Sequence, residues 1–97
     1  MAAHNPPHPG EFIRATYLEP FGISVRALAV NLGVSPSTLS RVVSEQSAIS
    51  PEMALRLSKA LGRTPESWLE MQHNYDLWIT RKTADLSKVR KMEFEAA

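Results

Sequence analysis

Ser37, Thr38, Ser40, Arg41 and Ser44 are the residues of this chain whose types and spacing suit a chemical task. On a helix, positions 37, 40, 41 and 44 share one face, with 38 beside them. Hydroxyls and a guanidinium on such a face offer hydrogen bonds to base edges and phosphates in a DNA groove. Arg41 is the strongest candidate for reading a base. Its guanidinium can grip guanine O6 and N7 together, a contact worth ~1–3 kcal/mol of discrimination; a phosphate contact or a surface ion pair is the plainer role. Ser37, Thr38 and Ser40 could equally serve the start of a helix and its wet surface. Ser35 and Pro36 stand just before them, Gln46 and Ser47 just after, placed to touch the DNA backbone. Arg26, at the start of the preceding helix, suits a phosphate clamp.

Bond-breaking chemistry finds no comparable support. No nucleophile–base pair and no glycine-rich phosphate loop is present, so the chain does not read as an enzyme. It contains no cysteine. His4 and His8 flank two prolines, but two histidines without nearby carboxylates or thiols are too few ligands for a metal. His8 better suits the opening turn of the first helix, and His73 an exposed or interfacial position on a late one. No cofactor or metal is expected.

The elements that must position the polar face are legible. Residues 25–44 read as a helix-turn-helix. Ala29 is small where two helices cross closely. Gly33 falls where the chain must turn through a left-handed conformation. Ser35 can accept hydrogen bonds from the free N–H groups of the next helix, and Pro36 suits its first position. Leu28, Leu32, Val34, Leu39 and Val42 are spaced to face one core. Around this segment the spacing predicts an all-α fold of five helices. Helix 1 covers 9–18, with Phe12, Ile13 and Tyr17 apolar, and Pro20 and Gly22 stopping it. Helix 2 covers 24–32 and helix 3 covers 36–44. Ile49 plugs a polar loop. Helix 4 starts at Ser50-Pro51-Glu52, buries Met53, Leu57 and Leu61, and ends at Gly62. Helix 5 covers 65–81, after Thr64-Pro65-Glu66-Ser67.

Helix 5 carries Trp68, Met71, Tyr75 and Trp78 on one stripe and Leu69 and Leu77 on a second, with Ile79 nearby. One broad core face is the plain reading. The sequence reading prefers a dimer interface involving Trp68, Leu69, Tyr75, Leu77, Trp78 and Ile79, because such aromatics anchor interfaces.

The 97 residues allow one domain, here placed at 9–81 between a lead of 1–8 and a tail of 82–97. The tail is expected to be helical through Leu86, Val89 and Met92, although Met92 and Phe94 alternate as in a strand. Net charge is only +1, but residues 24–63 hold five basic side chains against two acidic ones, whereas 64–80 hold only acids. Basic character over the helix-turn-helix fits nucleic acid, or simply solvated faces. The first ten residues lack the basic and apolar regions of a signal peptide, and no run approaches a membrane span. A cytoplasmic protein is expected.

Beyond residues 25–44, His8-Pro9-Gly10-Glu11, Leu18-Glu19-Pro20, Ile49-Ser50-Pro51-Glu52-Met53-Ala54-Leu55-Arg56-Leu57, Thr64-Pro65-Glu66-Ser67-Trp68-Leu69-Glu70-Met71-Gln72 and Tyr75-Asp76-Leu77-Trp78 occur in order. Together they resemble the HigA-type (VapI-type) antitoxins within the lambda-repressor-like, or XRE, superfamily. The resemblance covers about residues 8–82. It implies a homodimer that represses its own operon from a palindromic operator. It also implies a partner, a HigB-type toxin related to RelE ribonucleases that cleave mRNA. Two features depart from it: Pro36-Ser37-Thr38 offers fewer long side chains than many relatives, and the tail after Lys82 fits no family pattern. A stand-alone XRE-type regulator, and a protein-binding module with a scaffold helix-turn-helix, remain alternatives.

Overall fold

The structure is a computed structural model that describes residues 5–95. His4 lies outside the described residues. Helix α1, over residues 9–21, is built of an α-helical turn Pro9–Ile13, a π-helical turn Arg14–Leu18 and a closing α-turn Glu19–Phe21. Then follow α2 (Val25–Leu32), α3 (Pro36–Val43), α4 (Pro51–Leu61) and α5 (Pro65–Thr83). No strand occurs among the described residues. The all-α helix-turn-helix architecture expected from the sequence is present.

The starts of α2 to α5 follow the predicted capping chemistry. Ser24, Ser35, Ser50 and Thr64 each accept the backbone N–H three residues on, at 3.0–3.1 Å. Each bond satisfies a donor that the first turn leaves free. The turn between α2 and α3 is closed by Gly33 at φ 72°. Val34 N–H reaches back to Ala29 O and Gly33 N–H to Val30 O, both at 3.1 Å, a Schellman closure that needs the left-handed residue.

Two expectations are corrected. Helix 1 does not stop before Pro20 but continues to Phe21. In an α-helix interior, the proline ring would clash with the carbonyl four residues back. Here the wider π turn comes first, with Glu19 N–H reaching Arg14 O, and Pro20 then opens a new turn where no donor is needed. The helical tail is also not found: α5 ends at Thr83, and residues 84–95 form no helix, only a turn at Ser87–Lys88. Leu86, Val89, Met92 and Phe94 are all exposed there, so no packed face supports a helix.

The core joins Ile13 and Leu18 of α1, Leu28, Ala29 and Leu32 of α2, Leu39, Val42 and Val43 of α3, Ile49, Met53, Ala54 and Leu57 around α4, and Trp68 of α5. Ala29 is fully buried, as a close helix crossing demands. Gly10 marks the tightest approach. A Cβ there would overlap the Val42 carbonyl, so α1 can lie against the end of α3 only without a side chain at that position.

Candidate nucleic-acid interface

The cap that starts α3 also arranges its hydroxyls. Ser35 Oγ accepts Thr38 N–H at 3.1 Å, donates to Thr38 Oγ1 at 2.8 Å and lies 3.3 Å from Ser37 Oγ. Leu39, Val42 and Val43 turn inward. Ser37, Ser40, Arg41 and Ser44 are therefore left together on the outer face, all exposed, with Thr38 half-buried at its margin. Among the described residues, the Arg41 side chain makes no hydrogen bond or ion pair, so its guanidinium is available to a ligand. Ser44 Oγ donates weakly to Arg41 O at 3.4 Å. Pro36 and Gln46 are exposed and Ser47 is half-buried. Arg26 is exposed in the first turn of α2, beside the Ser24 cap.

Two of the basic side chains of residues 24–63, Arg56 and Arg63, are engaged within the fold. Arg56 reaches across from α4 to Leu32 O (2.8 Å) and Gly33 O (3.3 Å), and pairs with Glu52 at 2.8 Å. Its charge tightens the turn of the helix-turn-helix. Arg63 lies over the rings of Phe12 and Trp68, 5.0 and 5.6 Å from their centroids. Arg26, Arg41 and Lys59 make no ion pair among the described residues.

The loop leaving α3 is shaped by side chains that sequence reasoning did not single out. Glu45 takes a left-handed φ of 67°, with Gln46 N–H reaching back to Arg41 O at 2.8 Å. Arg14, from the π turn of α1, donates to Val43 O and to Glu45 Oε2. Gln72, buried on α5, accepts Ile49 N–H at 2.9 Å and donates to Asp76 Oδ1 at 3.0 Å. A polar residue four places after Trp68, on its stripe, was the available signal for Gln72. His8 caps α1 as expected, accepting Gly10 N–H on Nδ1 at 2.9 Å. Burial pushes its imidazole below the ordinary 6.5; the Glu45 and Asp76 carboxylates and the Ser47 backbone pull upward, and Arg14 adds to the lowering.

The six residues assigned to a dimer interface divide. Trp68 is 0% exposed, with Nε1 donating to Gly62 O at 2.9 Å, so it is a core residue and not a surface anchor. A tryptophan of that size completes the core of a small domain before anything can dock. Leu69 is half-buried against the same core. Tyr75 is half-buried between His8 and Trp78, and Lys82 covers the Trp78 ring at 3.5 Å. Leu77 and Ile79 stand exposed.

A helix-turn-helix family profile matches residues 15–69. Antitoxin HigA-1 of Vibrio cholerae is 44% identical over 72 residues, covering 74% of this chain and 68% of that protein. This chain belongs to the XRE-type helix-turn-helix family, in its HigA branch. An uncharacterized HTH-type transcriptional regulator of Escherichia coli, YddM, is 36% identical across 95% of this chain and 97% of its own length. The structure of antitoxin GraA in complex with its operator superposes with a TM-score of 0.81 at 35% identity, covering 97% of this chain and 95% of that one. The family is one of DNA-binding proteins, not enzymes. No helix among the described residues is long and apolar enough to cross a membrane.

Proposed function

We propose that this protein is the antitoxin of a toxin–antitoxin module, a dimeric repressor that binds its own operator and neutralises a HigB-type, RelE-like ribonuclease. The observation that carries the DNA half is the exposed face Ser37–Ser40–Arg41–Ser44 on α3, set on the same fold as the operator-bound GraA. In this reading α3 enters the major groove. Arg41 and the hydroxyls of Ser37, Thr38 and Ser40 meet base edges; Ser35, Pro36, Ser44, Gln46, Ser47 and Arg26 meet the backbone. One such helix covers little DNA. Two copies, with their α3 helices about 34 Å apart, would read a palindrome one turn long. The exposed Leu77 and Ile79 on α5, with the outer edges of Tyr75 and Trp78, are the surface offered for pairing.

A fluorescence-anisotropy titration against the protein's own promoter, with scrambled DNA as control, tests the reading. Wild type should prefer the promoter, and Arg41→Ala should lose about 10- to 100-fold of that preference. Equal, weak binding to both DNAs, unchanged in Arg41→Ala, would leave only phosphate attraction. The likeness to YddM, which spans nearly its full length, favours a second reading: a stand-alone regulator without a toxin. Co-expression with the product of any short reading frame beside this gene separates the two, since only an antitoxin restores growth.

A further inference from the structure

Two side chains from distant parts of the chain meet at the C-terminal end of α3. Arg14, from the π turn of α1, donates from Nη1 to Val43 O and from Nη2 to Glu45 Oε2, the latter at 3.2 Å. No backbone N–H reaches Val43 O among the described residues, so Arg14 supplies a donor that the helix end lacks. A guanidinium there also suits the negative end of the helix dipole. Arg14 lies one turn after Gly10, whose carbonyl accepts its N–H. One face of α1 thus meets the end of α3 twice, by close backbone approach at Gly10 and by hydrogen bonds at Arg14.

Glu45 is the less expected partner. Its φ of 67° is left-handed, a conformation that strains a residue with a Cβ and leaves glycine unstrained. The ion pair does not offset that strain, because its side chains are 35% and 32% exposed, where such pairs add little. For stability alone, glycine would serve at least as well. What the carboxylate adds is a fixed place for the turn. The N–H groups of Gln46 and Ser47 both bond Arg41 O, at 2.8 and 3.1 Å. The turn is therefore tied at once to the backbone of Arg41 and, through Glu45, to α1. We propose that Arg14 and Glu45 are a positioning pair for operator binding: they lock the left-handed turn to α1, so that Arg41, Gln46 and Ser47 meet the DNA at one angle. The pair rests on the DNA-binding reading above, and its strained backbone is retained for placement, not for stability.

The test compares wild type, Arg14→Lys, Glu45→Gly and the double variant. It reads the ratio of promoter to scrambled-DNA affinity, the melting midpoint, and hydrogen exchange of the Gln46 and Ser47 amides in the free protein. Lysine keeps the charge but lacks the fork that bonds Val43 and Glu45 together. Glycine keeps the left-handed turn and frees it from α1. Each single variant should lose about fivefold in the affinity ratio, the scale of one coupled contact. Glu45→Gly should melt at or above the wild-type temperature, while its Gln46 and Ser47 amides exchange faster. The double variant should lose no more than Glu45→Gly alone, because the two residues act as a unit. A wild-type ratio in Glu45→Gly, or losses that add in the double variant, would overturn the proposal. So would a melting midpoint that falls in step with the ratio, since the pair would then serve only the fold. Equal losses on promoter and scrambled DNA in Arg14→Lys would make Arg14 a phosphate contact and overturn it too. Failure of wild type to prefer its promoter would instead overturn the DNA reading, with amide exchange still deciding whether the pair holds the turn.

Discussion

Arg56 shows how a charge read as part of a DNA-facing segment can belong to the fold. Its guanidinium bonds the carbonyls of Leu32 and Gly33 where α2 must end, and Glu52 holds it in place. The exposed ion pair adds little by itself. The part-buried Leu32 carbonyl is the larger matter, because it loses a charged donor. Arg56→Met, which keeps much of the stem, should cost about 1–2 kcal/mol in urea denaturation. Lys59→Met, one turn on and without an ion pair among the described residues, should stay within about 0.5 kcal/mol of wild type. Equal effects from both would show that Arg56 does not hold the turn. Trp68 makes the converse point. Its residue type and stripe suggested an interface, yet at full burial its value is to the core.

At the scale of elements, the helix-turn-helix was legible because its signals are local. A Ser or Thr cap, a following proline and a closing glycine act within three or four residues of chain, and α2 to α5 begin where those signals lie. Helix α1 was less legible. Its continuation past Leu18 depends on a π turn that aims Arg14 at the end of α3. The packing of α1 against α3 depends on Gly10, where any Cβ would meet the backbone carbonyl of Val42 and the Val43 Cα, neither of which can move aside as a side chain could. Gly10→Ala should therefore destabilise the domain by about 3 kcal/mol, at the upper end of overpacking costs. It should also weaken promoter binding by shifting α3. Thermal unfolding together with anisotropy checks this, and an unchanged melting midpoint would show that α1 does not press on α3.

Over the whole molecule, the long axis of 60 Å against 29 and 25 Å sets the globular core apart from the projecting end of α5 and the residues beyond it. Leu77 and Ile79 lie in that outer half of α5, where one copy alone does not cover them. If they join two copies, Leu77→Lys should raise the dimer dissociation constant at least tenfold while leaving the melting midpoint of the monomer unchanged. Sedimentation equilibrium reads this directly. Wild type that stays monomeric at high micromolar concentration would remove α5 as a dimer surface and leave the spacing of two recognition helices without a basis.

The amino-acid sequence alone determined the helix starts, the turn at Gly33, the core stripe and the outward hydroxyl and arginine face of α3. Each follows from hydrogen bonds and periodicities that operate within one or two turns. Tertiary structure decided which cations face solvent, which aromatics are core, and how the loop after α3 is held. Those outcomes depend on groups 23 to 31 residues apart: Gln72 on Ile49, Arg56 on Gly33 and Arg14 on Glu45. Such distances along the chain carry no periodic signal, and they are set only when the helices pack.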